Sequence, residues 1–234
     1  MFEHSKTLAA GAGLVAVALS GAAVAAQGSY PAMAPIEKYR TADEAALART
    51  AAPSSISKDA TVLVLGAHGY ETAAKGANGF VCIVERGWAN DFNHPDFWNP
   101  KVRGPICFNA ASARSVLPTY LKRTEWVLAG ATKPQLLEKT KAAIAAHQIA
   151  APEPGSMCYM LSKGGHLGDE ANGPWHPHLM FFTPRLPASA WGAGAAGSPV
   201  MGGDEGGVDP ATTFMVPVAK WSDGTPDAPM KMAH

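Results

Sequence analysis

Charge is scarce in this chain of 234 residues: 16% are Asp, Glu, Lys or Arg, and 19 acidic side chains balance 19 basic ones. A neutral chain lacks the basic footprint that nucleic acid requires, so no nucleic-acid partner is expected. Cysteine is sparse as well. Cys82, Cys107 and Cys158 are the only three, and no C-x-x-C pair exists, which excludes a zinc ribbon and a thioredoxin-type redox site. G-x-S-x-G, a Walker loop and H-E-x-x-H are all missing, so esterase, NTPase and zincin chemistry have no motif. Ser55-Ile-Ser-Lys58 satisfies S-x-x-K without the S-D-N and K-T-G that the penicillin-recognising fold needs, and is a chance match. Against these absences stands an apolar content of 47%, enough for one domain with a real core.

A charge-free apolar run stands near the start of the chain, Thr7 to Ala26. It follows a short segment with Lys6 and ends in small residues, with Ala23-Val24-Ala25 or Val24-Ala25-Ala26 fitting the small-x-small rule. This order predicts a signal peptide over 1–26 and a mature protein that is periplasmic or secreted. Ala and Gly dominate the run, which makes it a poor permanent anchor, so no stable membrane anchor is expected after cleavage. Export places the cysteines in an oxidising compartment. The odd count allows three free thiols buried as small core residues, or one disulfide, for which Cys82–Cys107 is the candidate because the two are closest in sequence and both lie on strand-like runs. In either case Cys158 is a free core thiol.

The mature chain reads as an N-terminal segment with a short helix (27–59), one α+β domain (60–220) and a flexible C-terminal tail (221–234). Thr41-Ala-Asp-Glu44 reads as a capping box for the short helix, which Pro53 stops. Strands are predicted at Thr61–Leu65, Tyr70–Ala74 and Phe80–Glu85, with Asn78-Gly79 as a hairpin turn, hence a three-stranded meander. Asn109 opens a helical stretch with Leu117, Leu121 and Leu128 as its apolar stripe. Thr132-Lys-Pro-Gln135 caps a second helix running to about Gln148, which completes an αα-hairpin. Three further strands are expected at Met157–Leu161, Leu179–Thr183 and Thr213–Val218, the last an edge because of Pro217. The expected fold is a mostly antiparallel sheet with helices on one face. The Gly-rich stretch from Ala188 to Gly207 is a long loop, mobile or wrapped over a site.

Chemistry is concentrated in histidine. Trp175-His176-Pro-His178 puts two imidazoles on one face if extended, a start for a Zn or Cu site. A third ligand would come from His166, Asp169 or Glu170, from His94 or Asp96, or from His68 or Glu71; His166 and His94 complete the candidate metal set with His176 and His178. The alternative is that these histidines shape a loop. His68 and Glu71 form an acid–base candidate at a glycine-flanked turn, or a merely polar one. Trp88, Phe92, Phe97 and Trp98 line a ligand pocket or form a satellite core that pins their loop.

With Gly76-Ala-Asn-Gly-Phe-Val-Cys82, Gly104-Pro-Ile-Cys107 and Pro177-His178-Leu-Met-Phe-Phe182 in view, the chain resembles a group of exported bacterial proteins that share G-x-N-G-F-x-C, P-x-C and P-H-x-M-F motifs over about Ala60 to Lys220. The resemblance implies a bacterial envelope location and weight for the two cysteines and His178; it implies no activity. The expectation is an exported protein that binds a small ligand or metal near His176 and His178. Two readings stand beside it: a metal-assisted envelope hydrolase or oxidoreductase using the same histidines with Glu71 or Glu170 as base, and a structural or assembly protein without a small-molecule site.

Overall fold

Short β-branched and apolar runs separated by Gly, Pro and Asn form one sheet of eight strands among the described residues, which are 1, 30–169, 176–203 and 206–228 of the computed structural model. The expected leader, Glu170 to Trp175 and the end of the tail lie outside them. The strands are β1 (Thr61–Leu65), β2 (Tyr70–Ala74), β3 (Val81–Glu85), β4 (Gly104–Phe108), β5 (Met157–Met160), β6 (His178–Pro184), β7 (Met201–Gly203) and β8 (Ala211–Pro217). Their order is β2-β1-β3-β4-β5-β6-β8-β7. The helices are α1 (Glu44–Arg49), α2 (Ser54–Ser57), α3 (Ala110–Ser115), α4 (Leu117–Leu128) and α5 (Lys133–Ala145). No helix among the described residues is long and apolar enough to cross a membrane.

The meander does not form. β1 and β2 make an antiparallel pair, but β3 lies on the other side of β1 and runs parallel to it. The link passes under the start of β1, where the N–H groups of Ala77 and Asn78 donate to the Asp59 carbonyl. Backbones approach so closely there that a Cβ on Gly76 would lie 2.2 Å from that same oxygen. Asn78 makes an Asx turn instead of a hairpin, its Oδ1 accepting from Phe80 N (3.1 Å) and its amide donating to the Ile56 carbonyl (2.8 Å). The sheet is therefore mixed, with every pairing except β1–β3 antiparallel.

Helices cover both faces, not one. Side chains alternate across a strand, and the two sets on β3 and β4 have different neighbours. Cys82, Val84 and Cys107 pack with Ala48, Ala51 and Ala52 of the N-terminal segment. Ile83, Ile106 and Phe108 pack with Val116 and Leu117 of the α3–α4 region. A strand buried on both sides reads as a continuous apolar run, as Val81-Cys-Ile-Val84 does. Cys82 and Cys107 face each other in the β3–β4 register and are bridged, with Cα atoms 4.0 Å apart. Cys158 is free and buried, and lies on the α4 side of the sheet.

The Gly-rich stretch holds a 3-10 turn (Ala188–Trp191) and β7, so the edge is β7 and not β8; Pro217 sits at the end of β8, beyond the β7 pairing. Trp88, Phe92, Phe97 and Trp98 are buried together with Tyr39, Leu65, Val127 and Leu136. They form the satellite core, holding the N-terminal strap and α4 to the long β3–β4 connection. Residues 221–228, read as the start of a flexible tail, turn back onto the domain: Ser222 N donates to the Leu161 carbonyl and Lys163 pairs with Asp223 (2.8 Å).

Candidate functional site

Val116, which caps α4, and Tyr120 and Arg123 on the helix face the far half of the sheet, the i, i+4, i+7 spacing of one helical face. Across from them are Phe182 of β6 and Thr213 and Met215 of β8, which share the α4 side by the β6–β8 register. Between these walls lies a cleft of about 470 Å³. Its rim comes from three loops, through Asn90, Asp91 and His94, through Ala150 and Pro152, and through Gly207 to Pro210.

Arg123 is the cleft's buried cation, 2% exposed. Its Nη2 donates to both oxygens of Asp209, at 2.8 and 3.0 Å, and its Nη1 to the Ala89 carbonyl at 3.4 Å. The guanidinium lies 4.6 Å from the centre of the Phe92 ring, a cation–π contact that favours the charge despite burial. Its Nε–H is buried and has no acceptor among the described residues. Such orphans are uncommon, because an unmatched buried donor costs about 1–3 kcal/mol. Sequence reading missed Arg123. The available signal was an arginine set among Leu117, Tyr120, Thr124 and Val127 at helical spacing.

The four histidines separate into three places. His94 is on the cleft rim, where its Nδ1 accepts from Asp96 N (3.1 Å), which puts the proton of the neutral ring on Nε2. His166 Nε2 lies 3.1 Å from Asp169 Oδ1, in a surface cluster where Lys101 Nζ (2.9 Å) and the Tyr30 hydroxyl both donate to Asp169 Oδ2. These donors hold the Asp169 carboxyl well below the usual aspartate range, Tyr30 contributing most. His176 precedes β6, and its Nδ1 is 2.5 Å from Asp227 Oδ2. His178 opens β6, buried, with Nδ1 2.8 Å from the His176 carbonyl. Among the described residues no three His, Cys, Asp or Glu side chains are grouped as metal ligands. His68 and Glu71 lie exposed at the β1–β2 turn.

Glu85, which closes β3, is a second residue that sequence reading passed over. Its β4 neighbour is Gly104, where a Cβ would fall 2.5 Å from Glu85 Cγ, so only glycine leaves room for the carboxyl. Burial pushes Glu85 up to about 8, with the adjacent Arg86 charge pulling the other way. Tyr120 and Cys158, whose shifts include a Glu85 contribution, are pushed well up by burial too and stay neutral. Between about pH 4.3, the ordinary glutamate value, and pH 8 the folded state then holds a proton that the unfolded chain releases, so stability falls as pH rises. The slope reaches about 1.4 kcal/mol per pH unit and vanishes above pH 8. Burial lowers the pKa of His178, which gives the opposite slope as pH falls through the ordinary histidine value. Glu85→Gln isolates the first effect: its gain in urea midpoint over wild type is expected to grow from pH 5 to pH 8. A constant offset at pH 5, 6.5 and 8 would refute a protonated Glu85.

Compared with protein-family models, with curated proteins and with solved structures, the chain matches none.

Proposed function

We propose that this is an exported small-ligand-binding protein whose site is the cleft between α4 and the β6–β8 half of the sheet. The observation that carries the reading is Arg123, a fully buried arginine in the cleft wall with one N–H left over. The volume lies within the roughly 300–1,000 Å³ of small-molecule sites, and the lining combines apolar walls with a few convergent polar groups. The proposed ligand position thus differs from the His176–His178 pair, and of the sequence candidates among the described residues only His94 lines it. The disulfide and the leader-like N-terminus support export.

Two experiments test the two halves. N-terminal sequencing of protein recovered from the periplasm is expected to begin at about residue 26 or 27; an intact N-terminus on cytoplasmic protein would overturn export. For the site, mature protein labelled at its methionine methyl groups is screened by NMR with small neutral and charged aromatic compounds. Binders are expected to shift the Met215 methyl signal, and Thr119→Phe, which fills the cleft, is expected to abolish the shift. Binding that Thr119→Phe leaves intact would place the site elsewhere.

A further inference from the structure

We propose that the ligand is a small monocarboxylate with an apolar body, and that Asp209 is the resident carboxylate it displaces from Arg123; this rests on the cleft being the ligand site. The guanidinium is a planar fork, and its strongest pairing with a carboxylate uses two parallel N–H···O bonds. Asp209 does not make that pairing. Both its oxygens converge on one nitrogen, Nη2, and the neighbouring Nε–H stays unmatched although the side chain is 2% exposed. A free carboxylate that approaches the Nε–Nη2 edge matches both donors and removes the buried orphan.

Charge and shape narrow the class. Among the described residues Arg123 is the cationic side chain of the lining, and two carboxylates, Asp91 and Asp209, share the same space. A dianion such as a phosphate monoester would meet two like charges against one cation, whereas a monoanion that replaces Asp209 keeps the balance. Val116, Tyr120, Phe182 and Met215 offer the apolar remainder of the ligand a wall. Asp209 can leave because its side chain is 38% exposed and sits in a stretch that follows Gly206 and Gly207, so its carboxylate regains water when it lets go. Its position is a bias toward the empty state that an incoming acid must overcome.

The test uses isosteric pairs: benzoate against benzamide, and 4-methylpentanoate against its amide, each titrated into mature protein by calorimetry with Met215 NMR as the positional readout. The acid is expected to bind at least about tenfold more tightly than the amide, one buried charged pairing being worth that much. Asp209→Asn removes the competing charge and leaves a neutral acceptor on Nη2; it is expected to tighten the acids several-fold and leave the amides unchanged. Arg123→Gln, which removes the charge, is expected to erase the preference, and Asp209→Asn, at a half-exposed position, keeps the test informative if that variant folds poorly. Acid and amide binding equally in the cleft, with no effect of Asp209→Asn, would overturn the carboxylate assignment and leave the ligand site standing. Neither member of any pair moving Met215 would overturn both.

Discussion

Replacing Arg86 by Met is expected to cost about 3–5 kcal/mol of unfolding free energy, the price of stranding a buried charge. Arg86 is 1% exposed, and its Nη2 lies 2.7 Å from Glu44 Oε2, also buried. Its Nε donates to the Tyr39 carbonyl (2.9 Å) and its Nη1 to the Val84 carbonyl. Glu44 uses its other oxygen to accept from Leu65 N at 3.0 Å. One guanidinium thus ties the N-terminal strap, α1, β1 and β3 together. Without it, Glu44 is a buried carboxylate with no cation in contact, Arg103 acting on it only from farther off, and the Tyr39 carbonyl loses its donor. In a protein of this size such a loss lowers the melting temperature by on the order of 10 °C. Glu44→Gln in the same background removes the stranded charge and keeps an acceptor for Leu65, so the double variant is expected to be more stable than Arg86→Met alone. Urea denaturation of the four members of that cycle checks it, and simple additivity would show that the pair is not coupled.

Removal of the disulfide is the second large effect. Cys82 and Cys107 are 25 residues apart, and closing a loop of that length restricts the unfolded chain by about 3–4 kcal/mol. The Cys82→Ala/Cys107→Ala protein is expected to lose about that much, with the sheet register preserved because β3 and β4 are already paired along their whole length. Thiol titration supplies an independent check. The native protein should offer no reactive thiol, the unreduced denatured protein one, and the reduced denatured protein three. Two or more reactive thiols in the unreduced denatured protein would mean that the bridge is absent.

Local signatures carried much of the fold. Thr132-Lys-Pro-Gln135 caps α5 as read, with Gln135 Oε1 accepting from Thr132 N (2.8 Å). Thr61–Leu65 and Tyr70–Ala74 are strands at the predicted limits. The same kind of signature misled at Thr41–Glu44. There Asp43 adopts a left-handed conformation, the Thr41 hydroxyl accepts from Arg103 Nε (2.9 Å), and Glu44 turns inward to Arg86. A capping box is local, and a buried arginine 42 residues away outbids it. Which side of β1 receives β3 is likewise a contact between distant segments, invisible to periodicity. The histidine pair shows the limit of spacing arguments: β6 begins at His178, so His176 is not on the strand and turns to Asp227 instead. Arg123 was hidden for a different reason. An arginine on an amphipathic helix ordinarily faces water, and only the closure of the cleft over it makes it a site residue.

The side of the sheet on which Cys158 sits also governs how the bridge behaves during oxidative folding. Three thiols allow three single bridges, and a wrong one is corrected only when a thiolate attacks a disulfide sulfur in line. On β5, Cys158 is paired with Phe108, while Tyr159 is the residue beside Cys107, so the thiol emerges on the α4 side and the bridge on the α1 side. The backbone of the sheet stands between nucleophile and target, and burial pushes the thiol well up, which leaves little thiolate. Exchange is therefore open while the strands are apart and shut once β4 and β5 join. The correct pairing is locked in by the same hydrogen bonds that complete the sheet.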